Sequence, residues 1–145
     1  MLKVVDVLKS EIEYFKKLKS AIGDLHGHIH SLAVKVAQLY LAEKFADVKQ
    51  WVVSEKYGGG LDIVGRGTGD SVIVAAEVKT TFRSEKETLG SQQRNTIKGD
   101  IDKLIASGAV NRYLFVIDDK NKKAIEGILK SYKGSGIDLA NIFDL

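Results

Sequence analysis

The run Val72-Ile73-Val74-Ala75-Ala76-Glu77-Val78 is apolar at every position but one. Side chains alternate between the two faces of a strand, so a strand that is apolar on both must be covered on both. The run therefore predicts a central strand in a sheet with helices on each side. A chain of 145 residues is long enough for one such domain and too short for two. Hydrophobic residues make up 44% and charged residues 28%, which argues against wholesale disorder.

The rest of the chain fits that frame. Apolar positions Val4, Leu8, Ile12, Phe15, Leu18 and Ile22 recur at helical spacing and predict an N-terminal amphipathic helix over 1–24. Its apolar face would pack on the domain or on a twin subunit; in the alternative, its lysines, Lys3, Lys9, Lys16, Lys17 and Lys19, form a phosphate-contacting arm. After Gly23-Asp24 a second helix is expected, ending near Ala46 and opening the main domain, 25–145. Three β-type stretches follow at 50–54, 61–66 and 72–80, separated by Gly58-Gly59-Gly60 and by a turn over 67–71, and predict a meander. A helix over 92–107, a strand over 113–118, a helix over 122–132 and a short apolar tail complete the expected order α, α, β, β, β, α, β, α. The fold class is α/β, a mixed central sheet flanked by helices.

Several function classes drop out. The chain has no cysteine, which excludes disulfides, cysteine-ligated zinc and iron–sulfur sites and cysteine nucleophiles, so any metal must sit on oxygen or imidazole. No apolar run approaches the ~18 residues of a membrane span, and the start lacks a signal-peptide pattern, so a cytoplasmic protein with no membrane partner is expected. The glycine clusters do not open helices, which disfavours a nucleotide-binding loop. The net charge of +3 permits nucleic-acid binding without requiring it. His26 and His30 share a helix face at i, i+4, a spacing that a metal can use but that solvated or hydrogen-bonded pairs show more often.

Three charges interrupt the apolar strands: Asp62 near the start of one, and Glu77 and Lys79 at the end of the next. If Gly69-Asp70 forms a two-residue primed turn, the register sets Arg66 against Ile73, Val64 against Ala75 and Asp62 against Glu77. Directly opposed residues have Cβ atoms about 4.5–5.5 Å apart, where like charges are destabilising. A carboxyl proton, neutralisation by Lys79, or a hard divalent cation would each relieve the repulsion. Mg²⁺, with Mn²⁺ as substitute, suits a site of one or two carboxylates, because it keeps much of its water. Such an ion beside a lysine outlines a phosphodiester hydrolysis site.

These residues, Leu61-Asp62-Ile63-Val64 followed by Ala76-Glu77-Val78-Lys79, resemble the PD-(D/E)XK, or restriction-endonuclease-like, nuclease superfamily. The resemblance covers about 29–129 and implies an αβββαβ core preceded by an extra N-terminal helix. It also implies a metal held by Asp62, Glu77 and the Val78 carbonyl, with Lys79 as the catalytic lysine. Leu61 stands where the motif's proline would be. Many members, the archaeal Holliday-junction resolvases among them, carry a glutamate early in the helix before the meander. Here that helix offers only Glu43, which the expected layout places at the far end of the sheet. His30 or Ser31, or else Glu55 after the first strand, would take its place.

The polar residues downstream of Lys79, among them Thr81, Arg83, Gln93 and Arg94, are of the kinds that contact phosphates and sugars. The expected activity is a Mg²⁺-dependent DNA endonuclease acting as a homodimer, with branched junctions suggested by the likeness to compact resolvases. The competing readings are a weakly catalytic or inactive module of the same fold that binds DNA or a protein, and a small phosphate-ester hydrolase acting on nucleotides.

Overall fold

In a computed structural model, the structure describes residues 2–54, 60–81 and 89–145. Glu55 and Arg83 fall outside the described residues. Eight regular elements follow one another: α1 (Leu2–Lys44), β1 (Gln50–Val53), β2 (Ile63–Arg66), β3 (Val72–Lys79), α2 (Ser91–Ala106), β4 (Asn111–Val116), α3 (Asp119–Leu129) and β5 (Ile137–Asn141). The strands form one sheet in the order β1-β2-β3-β4-β5. β1, β2 and β3 pair antiparallel, whereas β3, β4 and β5 pair parallel through the α2 and α3 crossovers. This is a mixed α/β architecture, and β3 lies at its centre as its doubly apolar sequence requires.

Each face of β3 faces a different layer. Val74, Ala76 and Val78 join Tyr113 and Phe115 against Ala33, Val34, Ala37 and Leu41 of α1. Ala75 on the other face joins Leu114 and Val116 against Ile97, Ile101 and Leu104 of α2 and Ile125 and Ile128 of α3. Phe115 is fully buried, stacked on Tyr113 at 5.6 Å and edge-on to Tyr40 at 6.1 Å.

The β2–β3 loop is one residue longer than expected: the Gly67 amide donates to the Ser71 carbonyl at 2.8 Å, and Thr68–Asp70 forms a short 3-10 helix. Gly69 and Asp70 both have positive φ, 68° and 60°. The register departs from expectation at one place. Val64 faces Ala75 as expected, but Arg66 pairs with Val72 instead of Ile73, because a bulge falls between Gly65 and Arg66. A side chain at Gly65 would be crowded, since a Cβ would lie 3.0 Å from the Trp51 ring.

Two other expectations are corrected. The helices expected on either side of Gly23-Asp24 are one continuous 43-residue helix, which also runs through Gly27, since each interior glycine costs only about 1 kcal/mol and does not by itself end a helix. The expected apolar tail is instead β5, whose backbone is recruited by the open parallel edge of β4. Among the described residues, no helix is long and apolar enough to cross a membrane.

Replacing Phe115 by Ala should lower unfolding free energy by about 3–5 kcal/mol in urea denaturation. Val110→Ala, at a 79% exposed position, should change it by less than about 0.5 kcal/mol.

Candidate functional site

The antiparallel ladder continues one step past β2, where the Ser54 amide donates to the Asp62 carbonyl at 2.8 Å. Since Ile63 pairs with Ala76, Asp62 comes level with Glu77. The Asp62 carboxylate turns back over the strand end and accepts the Val78 amide on Oδ2 at 2.8 Å. Its other oxygen, Oδ1, lies 3.7 Å from His30 Nε2. Asp62 and Glu77 lie close enough to act on each other's proton affinity, so the two acids form one unit. Glu77 is 4% exposed and projects on the α2 side of the sheet.

The two carboxyl groups differ sharply in their affinity for a proton. Burial and the adjacent Asp62 charge push Glu77 up to about 8, with Lys103 opposing. Burial also pushes Asp62 upward, but hydrogen bonds from His30, the Val78 amide and Glu77 outweigh it and hold Asp62 below its ordinary value. Of the two acids, Glu77 is thus the one whose surroundings favour keeping a proton.

Lys79 does not neutralise the pair. Its ammonium forms an ion pair with Asp100 of α2, and Lys103, one turn later, lies 3.2 Å from Asp100 and 3.9 Å from Glu77. Lys79 nevertheless opens on the same small cavity, lined by His30, Asp62, Glu77, Val78, Asp100 and Lys103 together with Gly60, Thr80 and Thr81. Glu77 Oε1 is buried there with no hydrogen-bond partner among the described residues.

α1 supplies the buried His30, whose Nδ1 lies 3.3 Å from the Thr80 hydroxyl. His30 thus stands where the sequence analysis looked for a substitute acid. Ser31 is exposed and does not line the cavity, so it is set aside. Thr81 lines the cavity and also an adjoining cleft of about 360 Å³, which Lys79, Gln92, Gln93, Thr96 and Asn121 complete on its polar side. Arg94 is exposed near the start of α2, with its Nε donating to the Leu89 carbonyl at 3.3 Å. It does not line the cleft.

Asp100 and Lys103 join the cavity without having been expected from the sequence. The signal was present: Asp100 interrupts the apolar face made by Ile97, Ile101 and Leu104. An acid on the buried face of a helix is costly unless it finds a cation. Only the docking of α2 onto β3 reveals Lys79 as that cation.

Among the described residues no group of three or more His, Asp or Glu side chains is arranged to hold a metal ion. Asp62 and Glu77, whose buried Oε1 accepts no hydrogen bond among the described residues and lies 3.9 Å from the Lys103 ammonium, provide two carboxylates, a set that fits an ion retaining much of its water. Comparisons with family models, curated proteins and solved structures returned no match.

A carboxyl group that holds its proton more tightly when folded loses stability as the pH rises from its unfolded value to its folded one. For Glu77 that window runs from about 4.5 to about 8. Without divalent ions, urea midpoints should therefore fall across this range, by up to about 5 kcal/mol in stability. Glu77→Gln should flatten the slope. Asp62 acts in the opposite sense, at lower pH, where its contribution is lost as it protonates.

Proposed function

We propose that this chain is a divalent-metal-dependent endonuclease of PD-(D/E)XK type that hydrolyses phosphodiester bonds in DNA, branched DNA being the first substrate to test. The observation that carries the reading is the meeting of Asp62 and Glu77 at the end of two central strands, with Lys79 opening on the same cavity. The charge of Asp62 raises the proton affinity of Glu77, so a proton or a cation at this place would relieve the repulsion.

Asp62 and Glu77 would hold Mg²⁺ or Mn²⁺, with the Val78 carbonyl as the third donor implied by the family resemblance. Bound there, the ion supplies polarisation of a phosphoryl oxygen and a more acidic water. The chain's own groups have separate tasks. His30 and the Val78 amide fix the Asp62 carboxylate, so that it presents a set orientation. Lys79 offsets the charge that builds on the phosphate, and Asp100 positions its ammonium. Thr81 and Gln93, at the edge of the adjoining cleft, are placed to touch the sugar–phosphate backbone.

One observation favours the second reading, a DNA- or protein-binding module of weak catalysis: the Lys79 ammonium is tied to Asp100 and not directed at the acids. Cleavage assays on labelled junction, flap and linear DNA in Mg²⁺ or Mn²⁺ separate the two. Asp62→Ala and Lys79→Ala should each reduce cutting by about 10²-fold or more, while DNA binding persists. Calorimetry should detect Mn²⁺ uptake by the unmodified protein and its loss in Asp62→Ala. Binding with no cutting under any divalent ion would favour the second reading, and activity confined to mononucleotides would point to a phosphate-ester hydrolase. Absence of metal uptake, with and without DNA, would overturn the endonuclease proposal.

A further inference from the structure

Only the C-terminal part of α1 packs on the sheet, through Ala33, Val34, Ala37 and Leu41. From Asp6 to His26 every residue of the helix is exposed. A helix owes most of its stability to tertiary packing, and among the described residues none of 6–25 belongs to either hydrophobic core. It also contains Gly23, a poor helix former.

The exposed length is patterned. Leu8, Phe15, Ile22, Ile29 and Val36 recur every seven residues, and so do Leu18, Leu25, Leu32 and Leu39 three positions after them. These are the a and d positions of a heptad repeat, broken once by Glu11 at d. Apart from half-buried Ile29, they are 43–68% exposed. The stripe continues past the point where α1 docks, since Leu32, Val36 and Leu39 flank the residues facing the sheet.

We propose that α1 forms one strand of a two-stranded coiled coil completed by α1 of a second copy of this chain. A seven-residue repeat drifts about 20° per heptad around a straight helix. Over 8–39 the stripe therefore winds around α1, which suits a supercoiling partner helix and not a flat membrane surface. Ile22, Ile29 and Val36 at a with leucine at d is the combination that favours two strands. Most of the charge lies off the seam: Lys9, Lys16 and Lys17 take outer b and c positions, Val7, Ile12, Tyr14 and Ala21 occupy e and g, and Lys19 at e and Lys35 at g fall opposite Tyr14 and Tyr40 of a parallel second copy, so the like-charge contact at Glu11 is confined to the first heptad. At roughly 100 Å² for each half-exposed side chain, the stripe with Ile12 and Tyr14 offers about 1,000 Å² per copy, above the ~800 Å² per partner of a stable interface. The helices α2 and α3 already bury their apolar faces against the sheet.

The test needs neither metal nor DNA, so it stands or falls separately from the nuclease reading. Sedimentation equilibrium of the full chain should give twice the chain mass, with helical circular dichroism falling on dilution. The double variant Leu18→Glu/Leu25→Glu changes exposed residues only. It should sediment as a monomer and lose helicity, while fluorescence of the lone tryptophan, Trp51, reports an intact body. Ser20→Glu, at an outer f position, should remain a dimer. A monomeric unmodified chain, including one that binds anionic vesicles instead, would overturn the proposal, as would a dimer that survives the double variant.

Discussion

The closeness of Asp62 and Glu77 is the constraint around which the candidate site is organised. It is fixed by backbone hydrogen bonding: once Ile63 pairs with Ala76, the next residue outward on each strand brings a carboxylate to the same place. Side-chain choice has little freedom after that. The sheet end is covered on both sides, so water cannot screen the repulsion fully, and the two groups separate into one acid that holds its proton and one that gives it up. The bulge at Gly65 and Arg66 lies on the turn side of this register and leaves the site end undisturbed.

The helices complete the electrostatics from opposite faces. α1 reaches the strand ends with His30, which stabilises ionised Asp62, while α2 brings Asp100 and Lys103 against Glu77 and Lys79. Acids and bases thus alternate through the cavity, and the charges of Asp100 and Lys103 act on Glu77 in opposite directions. A buried ion pair contributes little net stability, because desolvation offsets attraction. Its clearer consequence here is orientation: Lys79 is held at the cavity wall.

α1 serves two surfaces with one continuous helix. Its C-terminal half closes one face of the sheet and positions His30, while its N-terminal half carries an apolar seam that the domain does not use. Interruption at Gly23 would uncouple them; continuity makes the seam a rigid extension of the same element that buttresses the site. In the proposed dimer the pairing of helices would therefore fix the relative placement of two candidate sites.

The doubly apolar Val72–Val78 run, the Gly69-Asp70 turn and the spacing from Asp62 to Glu77 are local patterns, and local patterns were enough to place β3 at the centre of the sheet and to bring the two acids together. Boundaries and partners were less legible. Helix continuation across Gly23-Asp24 depends on the residues to either side, and β5 exists because β4 offers an unpaired edge. The Lys79–Asp100 pair is equally invisible in one dimension, since its members lie on a strand and a helix whose approach is set by the packing of Ile97, Ile101 and Leu104. Sequence determined which residues are apolar, which are charged and with what period. Tertiary structure decided which charges meet, because an electrostatic partner is chosen by distance and burial, and both come from packing.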